Sequence, residues 1–249
     1  MIGTVFKTNN SGECIVVDYV NYENVTVEFV ETGYKAKTRM DNLIRGKVKD
    51  YLSPSLYGVG IIGCEVSTKE RKSKIFSYWN NMLKRCYCNK SLEVSPSYED
   101  CQVSENFRNY QYFKEWCFQQ IGFEEVDRNG KSFQLDKDIL VKGNRIYSED
   151  TCCFVPKEIN MFPVIRAKDR GECLIGVGYK LKRKQFRARC RTGYSKDGHL
   201  GWFSTEIEAF HAYKVAKEDY GKTLANKYKD QIDPRVYEAL MKYQVEITD

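Results

Sequence analysis

The stretch Phe186-Arg187-Ala188-Arg189-Cys190-Arg191 alternates apolar and cationic side chains without a break. Successive side chains of a strand leave opposite faces, so Phe186, Ala188 and Cys190 share one face and the three arginines the other. Lys180, Lys182, Arg183 and Lys184 lie just ahead, which makes seven cations from Lys180 to Arg191 and no acid. Such a run is the electrostatic footprint of a polyanion partner. A charged run alone is equally a solvated face; the strict alternation is what argues for a binding surface. Elsewhere the residues able to do chemistry are sparse. Asp136-Lys137-Asp138 sets two carboxylates around an ammonium at the end of an apolar run. His199 and His211 are the only histidines among 249 residues. The ten cysteines lack zinc-ligand spacing: Cys86 and Cys88 are too close for the usual pair, and Cys152 and Cys153 are adjacent. Cys117, between Trp116 and Phe118, sits among apolar neighbours as core thiols do.

These residues need elements to hold them. Cys14–Val20 and Val25–Val30 are β-branched runs around the turn Asn21-Tyr22-Glu23-Asn24, and Lys35–Leu43 follows a second turn at Thr32-Gly33-Tyr34. This predicts a small β-barrel-like domain over residues 1–64. Phe76, Trp79, Met82, Leu83 and Cys86 recur at helical spacing, as do Phe107, Tyr110, Phe113, Trp116 and Cys117, predicting aromatic core helices over 76–87 and 106–121. Phe133–Leu140 and Cys152–Val155 read as strands, with a helix opening at Pro156, so residues 133–162 read β–loop–β–helix. Past Gly171, three short strands at 176–180, 185–191 and 198–203 precede a helix capped by Thr205, whose stripe is Ala209, Phe210, Ala212, Tyr213, Ala216 and Tyr220. Asp233-Pro234 opens a last helix over 235–243. The expected class is α+β, in segments 1–64, 65–170 and 171–249.

Composition sets bounds. A hydrophobic fraction of 42% is enough for real cores, and no run approaches the eighteen apolar residues of a membrane span. Met1–Val20 lacks the pattern of a signal peptide, so the cysteines are expected to be reduced thiols in a cytoplasmic protein. The net charge of +6 is modest; its concentration at Lys180–Arg191 is the informative part.

Two resemblances follow. Gly176-Val-Gly-Tyr179, Phe186-Arg-Ala-Arg189, Leu200-Gly-Trp-Phe-Ser-Thr205 and Glu208-Ala-Phe-His-Ala-Tyr213 resemble the AP2 DNA-binding domain over about fifty residues. That resemblance implies a three-stranded sheet packed on one helix, binding double-stranded DNA through Lys182, Arg183, Lys184, Arg187, Arg189, Arg191 and Trp202. Tyr78–Cys86, Tyr98–Val103, Leu135–Asp138 and the run from Tyr147 to Asn160 resemble phage-type HNH endonucleases, whose core is a ββα-metal unit with flanking helices. It implies that Asp136 and Asn160 hold one divalent ion, Mg²⁺ or Mn²⁺, which stabilises the leaving oxygen of a cleaved strand. The family's general-base position is Lys137 rather than His, its loop Asn is Thr151, and an expected Arg is Cys153.

The leading expectation is therefore a homing or nicking endonuclease acting in the host cytoplasm, with Asp136, Lys137 and Asn160 as its catalytic residues. The alternative is a catalytically degenerate HNH/AP2 protein that binds DNA in a regulatory or structural role. A third class is a protein-interaction module built on residues 1–64.

Overall fold

The computed structural model describes residues 1–163, 172–191 and 197–249. Contacts group the chain into two compact units. The first is Met1–Cys117 with Arg145–Glu149, and the second is Phe118–Asn144 with Asp150–Asp249.

The first unit opens with strands β1 (Val5–Lys7), β2 (Glu13–Asn21), β3 (Asn24–Phe29) and β4 (Lys35–Thr38), followed by helix α1 (Met40–Ile44). Asn21 shapes the β2–β3 hairpin: its Oδ1 accepts from the amides of Glu23 and Asn24, both at 3.0 Å. Cys14, Val16, Val25, Val27 and Phe29 point to one face and are buried with Met40, Leu43 and Val48. The hydrogen-bonded order β1-β2-β3-β4 is linear, so the expected barrel-like form corrects to an open meander. The edges β1 and β4 are three and four residues long, too short to reach round and pair.

Helix α2 (Thr68–Arg71) leads into α3 (Lys74–Tyr87), α4 (Asn89–Val94), strand β5 (Gln102–Val103), α5 (Glu105–Arg108) and α6 (Tyr110–Gln119). Trp79 of α3 donates its indole N–H to the Phe107 carbonyl at 2.8 Å, and its ring lies 5.3 Å from that of Tyr110. The single helix expected over 106–121 is two helices. Asn109 takes an extended backbone and pairs with Ile61, while its side chain accepts from the amide of Gln111 at 2.9 Å and so restarts the helix.

Strand β6 (Gln134–Asp136) belongs to the second unit. Strand β7 (Ile146–Tyr147) returns to the first and pairs in parallel with β5. Strand β8 (Cys153–Val155) pairs antiparallel with β6, placing Asp136 opposite Cys153, and helix α7 (Lys157–Asn160) follows directly. Pro156 is the N-cap rather than the first helical residue. Next come β9 (Val177–Lys180), β10 (Gln185–Arg189) and β11 (His199–Phe203), a sheet in the order β11-β10-β9, then α8 (Glu206–Lys227) and α9 (Pro234–Met241). Thr205 caps α8 in a reciprocal box with Glu208. Ala188 and Cys190 are buried on the α8 side, where Phe210, Tyr213 and Val245 complete the core. The whole is a mixed α+β chain with several small sheets.

Candidate functional site

The open face of the β9–β11 sheet is built by register. Arg187 stands opposite both Trp202 and Gly178, so the three share the face turned away from Ala188. Gly178 adds no side chain, which leaves the Trp202 indole with cations around it. The Arg183 guanidinium lies 4.6 Å from the indole ring centre and that of Arg187 5.9 Å. The His199 ring is 5.5 Å away. A guanidinium stacked on an aromatic face keeps its N–H edge available, so it is pre-oriented for an anion. Lys182, Arg183 and Lys184 are exposed on the β9–β10 hairpin, which Lys184 closes with a left-handed φ of 52°.

The other two arginines differ from the sequence expectation. Arg189 donates from Nε and Nη2 to the Asp197 carbonyl at 2.9 and 2.8 Å, which ties down the end of the β10–β11 connection. The pairing shifts between Ala188 and Arg189, so Arg189 faces His199. Arg191 lies beyond the end of β10 and lines a separate cleft. The row of three guanidiniums therefore reduces to Arg187, joined from the hairpin by Arg183.

The residues expected for catalysis lie on β6 and α7. Asp136 is buried, and its Oδ1 accepts from the amides of Asp138 at 2.9 Å and Ile139 at 2.7 Å. Burial pushes its carboxyl above the usual range; those two amides pull the other way. Lys137 is also buried. Its ammonium donates to Asp138 Oδ1 at 2.6 Å and to the Asn144 carbonyl at 2.8 Å, while the Asn144 amide donates back to the Lys137 carbonyl. It serves as a strut across the 137–144 turn. Asn160 donates to Gln134 Oε1 at 2.6 Å. Gln134 and Asp136 share a face of β6, so Asn160 meets the first strand two residues short of Asp136.

For a divalent ion this set is sparse in protein ligands. It offers one carboxylate already bound to two amides, one amide tied to Gln134, and an ammonium fixed one residue away. A hard cation requires several oxygen ligands, and Mg²⁺ commonly takes most of them from water and substrate phosphates, with one or two carboxylates from the protein. Among the described residues no group of three His, Cys, Asp or Glu could hold a metal. The His199 ring lies tilted beside Trp202, and the His211 ring tilted beside Phe210 on α8. Cys153, in the position of an expected Arg, is buried, which raises its thiol well above the usual value.

No protein-family model, curated protein or solved structure matches this chain. The functional reading rests on the residues themselves.

Sequence reasoning missed a polar cluster between α7 and α8. Glu158 accepts from the hydroxyls of Tyr220 and Tyr228, each at 3.0 Å, and forms an ion pair with Lys227. Burial alone would raise its carboxyl; the donors from Lys227, Tyr228 and Tyr220 outweigh it and hold the group below the usual range. Lys217 donates to the Phe162 carbonyl at 2.6 Å and sits 4.4 Å from the centre of that ring. Burial lowers its ammonium's affinity for its proton. Tyr220 had a signal in the helical stripe, though only as packing. Lys217 had none.

Proposed function

We propose that this chain binds double-stranded DNA through the β9–β11 sheet and that the β6–β8–α7 unit is a non-catalytic scaffold. The observation that supports the first part is Trp202 flanked by the guanidiniums of Arg183 and Arg187 on the face away from α8. Two fixed guanidiniums with Lys182 and Lys184 beside them suit phosphate oxygens and guanine edges, and a three-stranded sheet is a shape that major grooves accept. The second part is supported by Lys137, whose ammonium is held by Asp138 and the Asn144 carbonyl in the position where a base would stand.

A metal-dependent endonuclease is the second reading, favoured by one feature. Asn160 reaches β6 from α7, as a ββα nuclease unit requires. In it Asp136 and Asn160 hold Mg²⁺ or Mn²⁺, with Lys137 alongside.

One experiment separates the two. Purified protein is mixed with supercoiled and linear duplex DNA, with Mg²⁺, Mn²⁺ or a chelator, and both retention and nicking are scored. Binding without nicking is the expected result. Metal-dependent nicking that disappears in Asp136→Asn, a variant able to keep accepting from the 138 and 139 amides, establishes the nuclease instead.

A further inference from the structure

The cleft bounded by the 127–129 turn, α7 and α8 encloses about 380 Å³, within the range of roughly 300–1,000 Å³ common for small-ligand sites. Its walls carry four cations, Arg128, Lys157, Arg191 and Lys217, and two acids, Asp127 and Glu158. Both acids are engaged by the protein itself. Asp127 Oδ1 accepts from the amides of Asn129 at 2.8 Å and Lys131 at 2.9 Å. Glu158 holds two tyrosine hydroxyls and the Lys227 ammonium. The cations are not balanced in the same way. Among the described residues none of the four is ion-paired to a carboxylate, and Lys217 is satisfied only by a neutral carbonyl. Arg128, Lys157 and Arg191 are exposed at the rim and Lys217 is half-buried. It is at Lys217, partly shielded from water, that positive charge attracts an anion more strongly than on an open surface.

The rest of the wall narrows the ligand further. The hydroxyl of Tyr220 is occupied by Glu158, so this half-buried residue offers the cleft its ring, while Tyr228 and Phe162 line the wall as buried rings. The volume is far more than one phosphate needs. Aromatic rings beside cations match a ligand that joins a phosphate to a flat heterocycle, since every base has a face to stack.

We propose that this cleft binds a nucleotide, with its phosphate on Lys217 and Arg191 and its base against Tyr220. This reassigns Arg191 from the sheet to the cleft and stands independently of DNA binding by the sheet. The same chemistry is offered by a free mononucleotide and by the phosphorylated end of a strand.

Calorimetric titration of the full chain with deoxyadenosine monophosphate and with inorganic phosphate tests it. The nucleotide should bind, and phosphate at least about tenfold more weakly. Lys217→Met, which keeps the aliphatic stem on Phe162, and Arg191→Gln, at an exposed position, should each weaken the nucleotide by about tenfold or more, the scale of one lost charge-assisted hydrogen bond. Thermal midpoints identify any variant that fails to fold, and Arg191→Gln then carries the test alone. Arg183→Ala, on the sheet, should leave nucleotide binding unchanged. Failure of the parent chain to bind duplex, with nucleotide binding intact, would refute only the sheet. Competition by a 5′-phosphorylated single strand, but not by its unphosphorylated counterpart, assigns the site to strand ends; competition by neither assigns it to free nucleotide. The proposal is overturned by no binding at millimolar nucleotide, by phosphate binding as tightly as nucleotide, or by folded variants that bind like the parent.

Discussion

Glu158 shows how one side chain ties a helix end to a neighbour seventy residues away. Its carboxylate collects Tyr220, Tyr228 and Lys227, all from α8 or its C-cap, and those bonds exist in full only when it is ionised. The folded carboxyl therefore titrates below the ordinary glutamate value of about 4.3. A lowered folded pKa contributes stability that is fully present above the unfolded value and is lost as pH falls through the folded one. Glu158→Gln should thus lower the thermal midpoint at neutral pH and flatten its decline below about pH 5. Midpoints of parent and variant across pH 3–7 read this directly, and parallel acid limbs would show that Glu158 contributes no pH-dependent stability. Lys137 makes the opposite point. The HNH resemblance places it where a general base would stand, whereas its contacts form a strut, with the adjacent Asp138 and a carbonyl seven residues on as its acceptors.

Among the elements, the β9–β11 sheet and α8 meet at Gly176. Its φ of +76° is left-handed, and an added Cβ would fall 2.1 Å from the Tyr213 ring. Gly176→Ala combines backbone strain with overpacking and should destabilise by at least about 2 kcal/mol. Chemical denaturation measures it, and a variant within about 0.5 kcal/mol of the parent would mean that Tyr213 moves aside freely. Much of this part was legible in the sequence. The alternation of 186–191 marked the strand, and Thr205 with Glu208 marked the start of α8, because both signals are local. Other elements hid their limits. The strand expected over 133–140 ends at Asp136, whose own side chain captures the next amides and turns the chain. Asn109 likewise breaks a helix that hydrophobic spacing alone reads as continuous. Strand β10 stops at Arg189, so Arg191 leaves the face that strict alternation gave it. The α7–α8 cluster was not legible at all, since Glu158 finds its partners 62 to 70 positions downstream.

For the whole molecule, the chain carries a net charge of +6, and no helix among the described residues is long and apolar enough to cross a membrane. Seven of the chain's cations fall in the acid-free run Lys180–Arg191, which includes Arg183 and Arg187 beside Trp202. Neutralising phosphates releases counterions, so duplex affinity should fall steeply with salt, and log K against log salt should lose about 0.9 of slope for each phosphate contact removed. The most direct test of the sheet as the DNA reader is that slope, measured by fluorescence anisotropy for the parent and for Arg183→Ala/Arg187→Ala. The account predicts weaker binding with a slope shallower by up to about 1.8. A variant that binds duplex as tightly as the parent, with the same slope at every salt concentration, would contradict it.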